Sequence, residues 1–421
     1  MVAEHLFDRV YDARLENGLR ILIEEDPQSR SVSIGAWITS GSRDDPLERP
    51  GLAHLIEHLA FKGTAERDGA ELSQAIDSVG GHLNAATGRE STVYYADVPA
   101  EGLSTAADVL SDLVCRPVFA ADKVELEQTV VLDEIRGHND DPEAVAFDRF
   151  VASVWEDGHG LARPVLGTAE AVRTVSREAI VEHHRRSYRS ADMLVVACGA
   201  LSAETWIPRL AEMFSSQEAD EAQTKDRVVP GFRSGRNRFG SHGGQSHVYL
   251  GLPGLAADDP DRYALEVLNV ILGDGTSSRL FRGIREDRGL AYSVGSTAVR
   301  YTDTGLWMIY AGTAPAHEDE VRSLLEAEIE RLHKDGAVAE DEFALAKARL
   351  RGLFILGLES NANRAMRLGT AAISGRPILS PDEILRRFDA VSLDDIARAI
   401  QRFASPDRLH VTVVGPNGQA T

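Results

Sequence analysis

Residues 51–64 read GLAHLIEHLAFKGT, and the spacing inside this stretch decides how the rest of the chain is read. Wound as a helix of about 3.6 residues per turn, it puts His54, Glu57 and His58 on one face and turns Leu55, Ile56 and Leu59 toward a core. Two imidazoles one turn apart can chelate a single metal ion. Zinc takes neutral histidine nitrogens, and its catalytic sites keep one position open, so a third protein ligand has to come from elsewhere in the chain. Glu57 leaves the same face beside the open position, where a carboxylate can take a proton from metal-bound water and pass it to a leaving amine. An amphipathic helix with two histidines over a core is the plainer alternative when these five residues are taken alone, because motifs this short arise by accident.

The second informative stretch, VELEQTVVLDEIRGHNDDPE from Val124 to Glu143, carries Glu127 and Glu134 two helical turns apart on one face. Glu134 is a candidate third ligand, and Glu127 a candidate outer carboxylate that orients a histidine or tunes the charge of the site. A solvated acidic face is the plainer reading. Against it, Val130, Val131, Leu132 and Ile135 flank Glu134 and predict apolar surroundings for it.

Around these helices the pattern is that of sheets. Arg20–Glu25, after the turn pair Asn17-Gly18, and the alternating run from Ser31 read as strands, and Asp44, Asp45, Pro46 and Pro50 break the chain before the chelating helix. HLNAATGRESTVYYADVP, from His82 to Pro99, reads as two strands joined at Gly88-Arg89. The small residues of the first, Asn84, Ala85 and Ala86, would let a peptide pair with its edge, although an ordinary hairpin explains the pattern as well. The adjacent His183 and His184 point about 100° apart on a helix, a poor chelating geometry, and read as structural or surface residues.

The polar segment 216–230 reads as a linker between a domain at 1–215 and one at 231–421. Beyond it, SHVYLGLPGLAADDPDRYALEVLNVILG repeats the outline of the first half, a strand, an Asp-Asp-Pro break and an apolar helix, so the chain looks duplicated. Ala264, Leu265, Val267 and Leu268 stand on the second helix, so the chelating pair does not recur. In GDGTSSRLFRGIREDRGLAYSVGS, Gly273 and Gly275 precede a helix but lack the Lys-Ser/Thr ending of a phosphate loop. Arg285 and Tyr292, at the end of that helix and the start of the next strand, can direct a cation and a phenol at a substrate carbonyl. A surface arginine and a core tyrosine are the duller alternatives.

Composition bounds the reading. A chain of 421 residues, 43% hydrophobic and 26% charged, is ordinary globular material too long for one compact core. With 66 acidic against 45 basic side chains, the net charge of -21 argues against nucleic acid as a partner and is read mainly as a solubility feature. Two cysteines, Cys115 and Cys198, each in an apolar run, exclude a thiolate metal site by number and make a disulfide framework improbable. The N-terminal stretch lacks a basic head and apolar core, and there is no run of about 18 apolar residues. A cytoplasmic protein without a membrane span is therefore expected.

With these residues in place, the chain resembles the inverzincin peptidases typified by pitrilysin, insulin-degrading enzyme and the mitochondrial processing peptidase, in particular the short bacterial members. The resemblance rests on HLIEHLAFKGT, GGHLNAATGRE, the Glu127-to-Glu134 spacing, HGLARPVLGT near His159, and SSRLFRGIREDRGLAYSV, in that order along nearly the whole chain. Ala60 stands where a bulkier apolar residue is often found. The resemblance implies an α+β fold of two homologous domains, each a mostly antiparallel sheet packed with helices, forming half of a clam-like chamber. It implies one Zn2+ per chain on His54, His58 and Glu134, Glu57 as general base and Glu127 in support. It further implies that Asn84, Ala85 and Ala86 pair with substrate and that Arg285 and Tyr292 contact it.

The implied activity is zinc-dependent endopeptidase cleavage of peptides or small unfolded polypeptides. Because one chain carries both the metal motif and the Arg/Tyr pair, a homodimer is expected, with a heterodimer containing a related subunit possible. A non-catalytic peptide-binding or assembly subunit of a heteromeric processing peptidase is the alternative.

Overall fold

The computed structural model describes residues 2–214, 225 and 227–416. Its first sheet is built from β1 (Val2–Phe7), β2 (Val10–Arg14), β3 (Arg20–Glu25), β4 (Ser31–Ile38), β5 (His82–Thr87), β6 (Thr92–Pro99) and β7 (Met193–Gly199). A second comprises β8 (Gly235–Gly240), β9 (Ser246–Pro253), β10 (Ala291–Arg300), β11 (Gly305–Thr313) and β12 (His410–Gly415). The orders are β1-β2-β3-β7-β4-β6-β5 and β10-β11-β9-β12-β8.

Read from its other end, the second order reproduces the first once β1 and β2 are set aside. β8, β12, β9, β11 and β10 then take the places of β3, β7, β4, β6 and β5. The sense of every pairing matches as well: β3 with β7 and β8 with β12 are parallel, and the other corresponding pairs are antiparallel. The fold is thus α+β with two domains of repeated topology, and the duplication expected from the repeated strand, Asp-Asp-Pro break and helix is present in the backbone.

Central strands are buried, β7 along its whole length and β4 everywhere but at Ser31, because helices cover both faces of the sheet. One face of the first sheet meets the chelating helix and helix Leu103–Cys115 through Ile21, Ile34, Leu55, Leu59 and Leu110. The other face, with Leu22, Trp37 and Val196, is covered by Ala365 and Leu368 of helix Asn361–Ile373. Gly369 of that helix lies so close to the indole that a Cβ there would stand 2.4 Å from Trp37 Cε2. In the second sheet the corresponding cover is helix Pro142–Val154, whose Phe150 stacks on Tyr249 with ring centroids 5.0 Å apart.

These covering helices change the domain boundaries read from sequence. One compact unit comprises Met1–Arg136, Arg163–Asp226 and Gly357–Ile378, and the other Gly137–Ala162, Arg227–Leu356 and Leu379–Thr421. A linear division at 1–215 and 231–421 therefore assigns one helix of each unit to the wrong half. The cause is physical: periodicity reveals that a helix has an apolar face but carries no record of which sheet that face covers. Of the expected linker 216–230, residues 216–224 and 226 lie outside the described residues. Cys115 and Cys198 are not joined in a disulfide, and Cys198 is fully buried. His183 and His184 are buried, and His184 Nε2 lies 3.0 Å from the Val114 carbonyl, so of the structural and surface readings the structural one holds. No helix among the described residues is long and apolar enough to cross a membrane.

Candidate metal centre

The chelating helix spans Leu52–Ala60 and buries Leu55, Ile56 and Leu59 as its pattern predicts. Its start is held from several sides. The Asp45 carboxylate accepts the amides of Gly51 at 2.8 Å and Ala53 at 2.9 Å, tying up donors that a helix start leaves unpaired. Gly51 has φ +92°, and a Cβ there would lie 2.5 Å from the Leu166 carbonyl oxygen, so only glycine fits. Arg163 donates to the carbonyls of Arg43, Asp45 and Pro46 at 3.2, 2.9 and 3.1 Å, bracing the same approach. The ARPVLG stretch quoted from the sequence thus works as the seat of this helix.

On its outer face, His54 Nε2 and His58 Nε2 lie 3.7 and 3.5 Å from Glu134 Oε2. Zinc bonds of about 2.0–2.1 Å arranged tetrahedrally place neighbouring ligand atoms about 3.3–3.4 Å apart, so these separations suit one ion with little adjustment. Among the described residues these three form the one group of histidine, cysteine and carboxylate side chains with metal-holding spacing. Burial holds His54 down at a pKa of about 4, with His58 beside it adding to the effect, so its imidazole is neutral, as a metal ligand must be. Its buried Nδ1 has no hydrogen-bond partner.

Glu127 and Glu134 both lie on helix Ala121–Asp140. Glu127 is 1% exposed, with Oε2 3.3 Å from His58 Nδ1 and Oε1 2.9 Å from Lys62 Nζ. This carboxylate orients the His58 ring by holding Nδ1, while Nε2 is the nitrogen near Glu134. Lys62, a residue to which the sequence pattern assigns no role, lies against the buried carboxylate. The expectation of apolar surroundings for Glu134 is wrong: its side chain is 44% exposed, and Val131 and Ile135 are buried while Val130 is exposed. Neighbours in sequence fan around a helix, so apolar flanks at adjacent positions belong largely to the opposite face.

Glu57 is half-buried, and its carboxylate accepts a hydrogen bond from Thr87 Oγ1. Burial is the main cause that raises its pKa; the Thr87 hydroxyl and His58 oppose the shift, and Glu134 adds to it. The result is a more basic carboxylate than a free glutamate, suited to accepting a proton. Thr87 ends β5, the outermost strand of its sheet, which leaves one edge of the strand unpaired among the described residues. Asn84 and Ala86 are exposed there, Ala85 is half-buried, and the Ala85 amide donates to Asn84 Oδ1 at 2.8 Å instead of to a neighbouring strand.

Arg285 and Tyr292 are brought together in the second unit. Arg285 lies in a wide helical turn, Phe281–Glu286, with its guanidinium carbon 4.8 Å from the Phe281 ring centroid and 5.4 Å from that of Tyr292. Tyr292 is 77% exposed, which rules out the core-tyrosine alternative. A cation held over an exposed phenol makes a paired donor group on the surface.

The architecture and this cluster define a class: duplicated α+β domains of which one bears a His-x-x-Glu-His helix facing a helix with two glutamates. The chain belongs to peptidase family M16. Residues 20–169 match the family described as Insulinase (Peptidase family M16), and residues 174–350 match Peptidase M16 inactive domain. An uncharacterized zinc protease of Mycobacterium tuberculosis is 36% identical over 96% of this chain and 92% of its own length. One from Bacillus subtilis is 31% identical over 96% and 97%. Among solved structures, a peptidase M16 inactive domain from Pseudomonas fluorescens superposes with a TM-score of 0.91 at 20% identity, covering 98% of this chain and 99% of that one. A protease from Helicobacter pylori gives 0.86 at 21% identity, covering 97% and 99%.

Proposed function

We propose that the protein is a zinc endopeptidase that hydrolyses peptides or small unfolded polypeptides, with one zinc ion per chain on His54, His58 and Glu134. The observation that carries this reading is that ligand atoms of His54, His58 and Glu134 lie within 4.8 Å of one another, with Glu57 on the helix of the two histidines. Zinc held there would supply Lewis acidity toward a scissile carbonyl and toward water. Glu57 accepts a proton from the attacking water and delivers it to the leaving amine. Glu127 keeps the His58 ring aimed, and Lys62 pairs with the other oxygen of the Glu127 carboxylate.

The free edge of β5 offers main-chain groups to an extended peptide, which would take the Ala85 amide from Asn84. Arg285 and Tyr292 would each donate to a substrate carbonyl. Because both sets of residues stand on one chain, two identical copies suffice for a working enzyme, and we assign a cytoplasmic homodimer. The particle mass in solution is expected to be twice that of the chain; a monomer, or activity that appears only with a second, different subunit, contradicts that assignment.

Incubation of the purified protein with a mixed peptide library should yield internal fragments that disappear with a chelator and return with added zinc. Peptide binding without cleavage under the same conditions would instead identify a binding or assembly subunit.

A further inference from the structure

We propose that Thr87 is a positioning residue for Glu57, and that through it the strand that receives the peptide also sets the place of the base. The proposal rests on the peptidase reading above and extends it to a residue for which neither the zinc motif nor the ligand set provides a role.

A glutamate has three side-chain torsions, so a helix position alone leaves its carboxylate free to wander. Here the carboxylate is anchored by the Thr87 hydroxyl. The direction of that hydrogen bond follows from counting protons, because a hydroxyl has one hydrogen to give. Thr92 stands directly opposite Thr87 in the β5–β6 ladder, with the two hydroxyl oxygens 3.5 Å apart. Thr92 is fully buried and donates its hydrogen to the Ser40 carbonyl at 3.0 Å. The Thr87 hydrogen is therefore left for Glu57, whose Oε2 accepts it. The β-branched side chain of threonine restricts χ1, which keeps the hydroxyl aimed with little loss of freedom on folding.

Alternation along β5 gives this arrangement its consequence. Asn84 and Ala86 are exposed while Leu83, Ala85 and Thr87 are half-buried, so the inward row that ends in the Glu57 anchor belongs to the strand whose outer edge is free. A peptide paired with that edge has its backbone register fixed by β5, and the base is tied to β5 by one hydrogen bond. Removing the hydroxyl should leave the edge intact and loosen the base, an effect on turnover rather than on substrate binding.

The test compares Thr87→Val, which keeps the shape of the side chain, with Thr87→Ser, which keeps the hydroxyl. Zinc content, kcat and KM on a peptide cleaved by the wild type, and a crystal structure of T87V, are measured. Thr87→Val is expected to lose about 10–100-fold in kcat with KM changed less than about threefold and zinc content unchanged. Its Glu57 carboxylate should leave the position facing residue 87, and Thr87→Ser should recover most of the lost rate. Wild-type kcat in T87V, an equal loss in T87S, or an unmoved Glu57 carboxylate in the T87V crystal overturns the proposal. A wild type that cleaves no peptide defeats the peptidase reading, whereas the place of Glu57 in the T87V crystal reports separately on the anchor.

Discussion

Glu57→Gln is expected to bind zinc at the wild-type level and to lose about 10²–10⁴-fold in kcat, the usual contribution of a positioned acid–base group. The substitution keeps the shape of the side chain and a carbonyl oxygen able to accept from Thr87, so neither the helix nor the three ligands should move. What disappears is the ability to take a proton from water and return it to the amine. Metal analysis beside steady-state kinetics checks both halves. Near-normal cleavage by E57Q would remove Glu57 from the role of base, and loss of zinc would make it part of the metal site instead.

The second large effect is expected on metal binding. On the proposed ligand set, Glu134→Ala deletes one of three ligand atoms and leaves only His54 and His58, so zinc affinity should fall by more than the ~10–100-fold typical of losing an outer-shell partner. Glu127→Gln should fall within that smaller range, because Glu127 faces the nitrogen of His58 turned away from Glu134. Competition titration with a chromophoric zinc chelator orders the two variants. An E134A protein that keeps wild-type affinity takes Glu134 out of the ligand set, and an E127Q protein that is the more damaged reverses the roles of the two carboxylates.

How much of this was legible beforehand depends on how far apart the cooperating residues lie in the chain. His54, Glu57 and His58 share one helix, and Glu127 and Glu134 share another, so helical spacing alone groups each set. The internal repeat was visible too, since a strand, an Asp-Asp-Pro break and a helix recur, and the strand orders confirm it. Lys62 and Thr87 were missed because their partners, Glu127 and Glu57, are brought to them only by tertiary packing. Thr87 did have a faint signal: two residues beyond Ala85 on an alternating strand, it shares that residue's face. The helices Pro142–Val154 and Asn361–Ile373 were placed in the wrong halves for a related reason, as an apolar stripe fits either sheet until Tyr249 or Trp37 is known to lie beneath it. Glu134 shows the opposite failure, where apolar neighbours in sequence predict apolar surroundings, although Val131 and Ile135 are buried while its own carboxylate is exposed.

The measurement closest to the central claim is anomalous diffraction at the zinc absorption edge from crystals of the zinc-loaded wild-type protein. One peak per chain is expected, within bonding distance of His54 Nε2, His58 Nε2 and the Glu134 carboxylate, with Glu57 beside it but not bonded to it. A zinc-loaded crystal with no peak at these residues, or with the ion held by other side chains, would contradict the account.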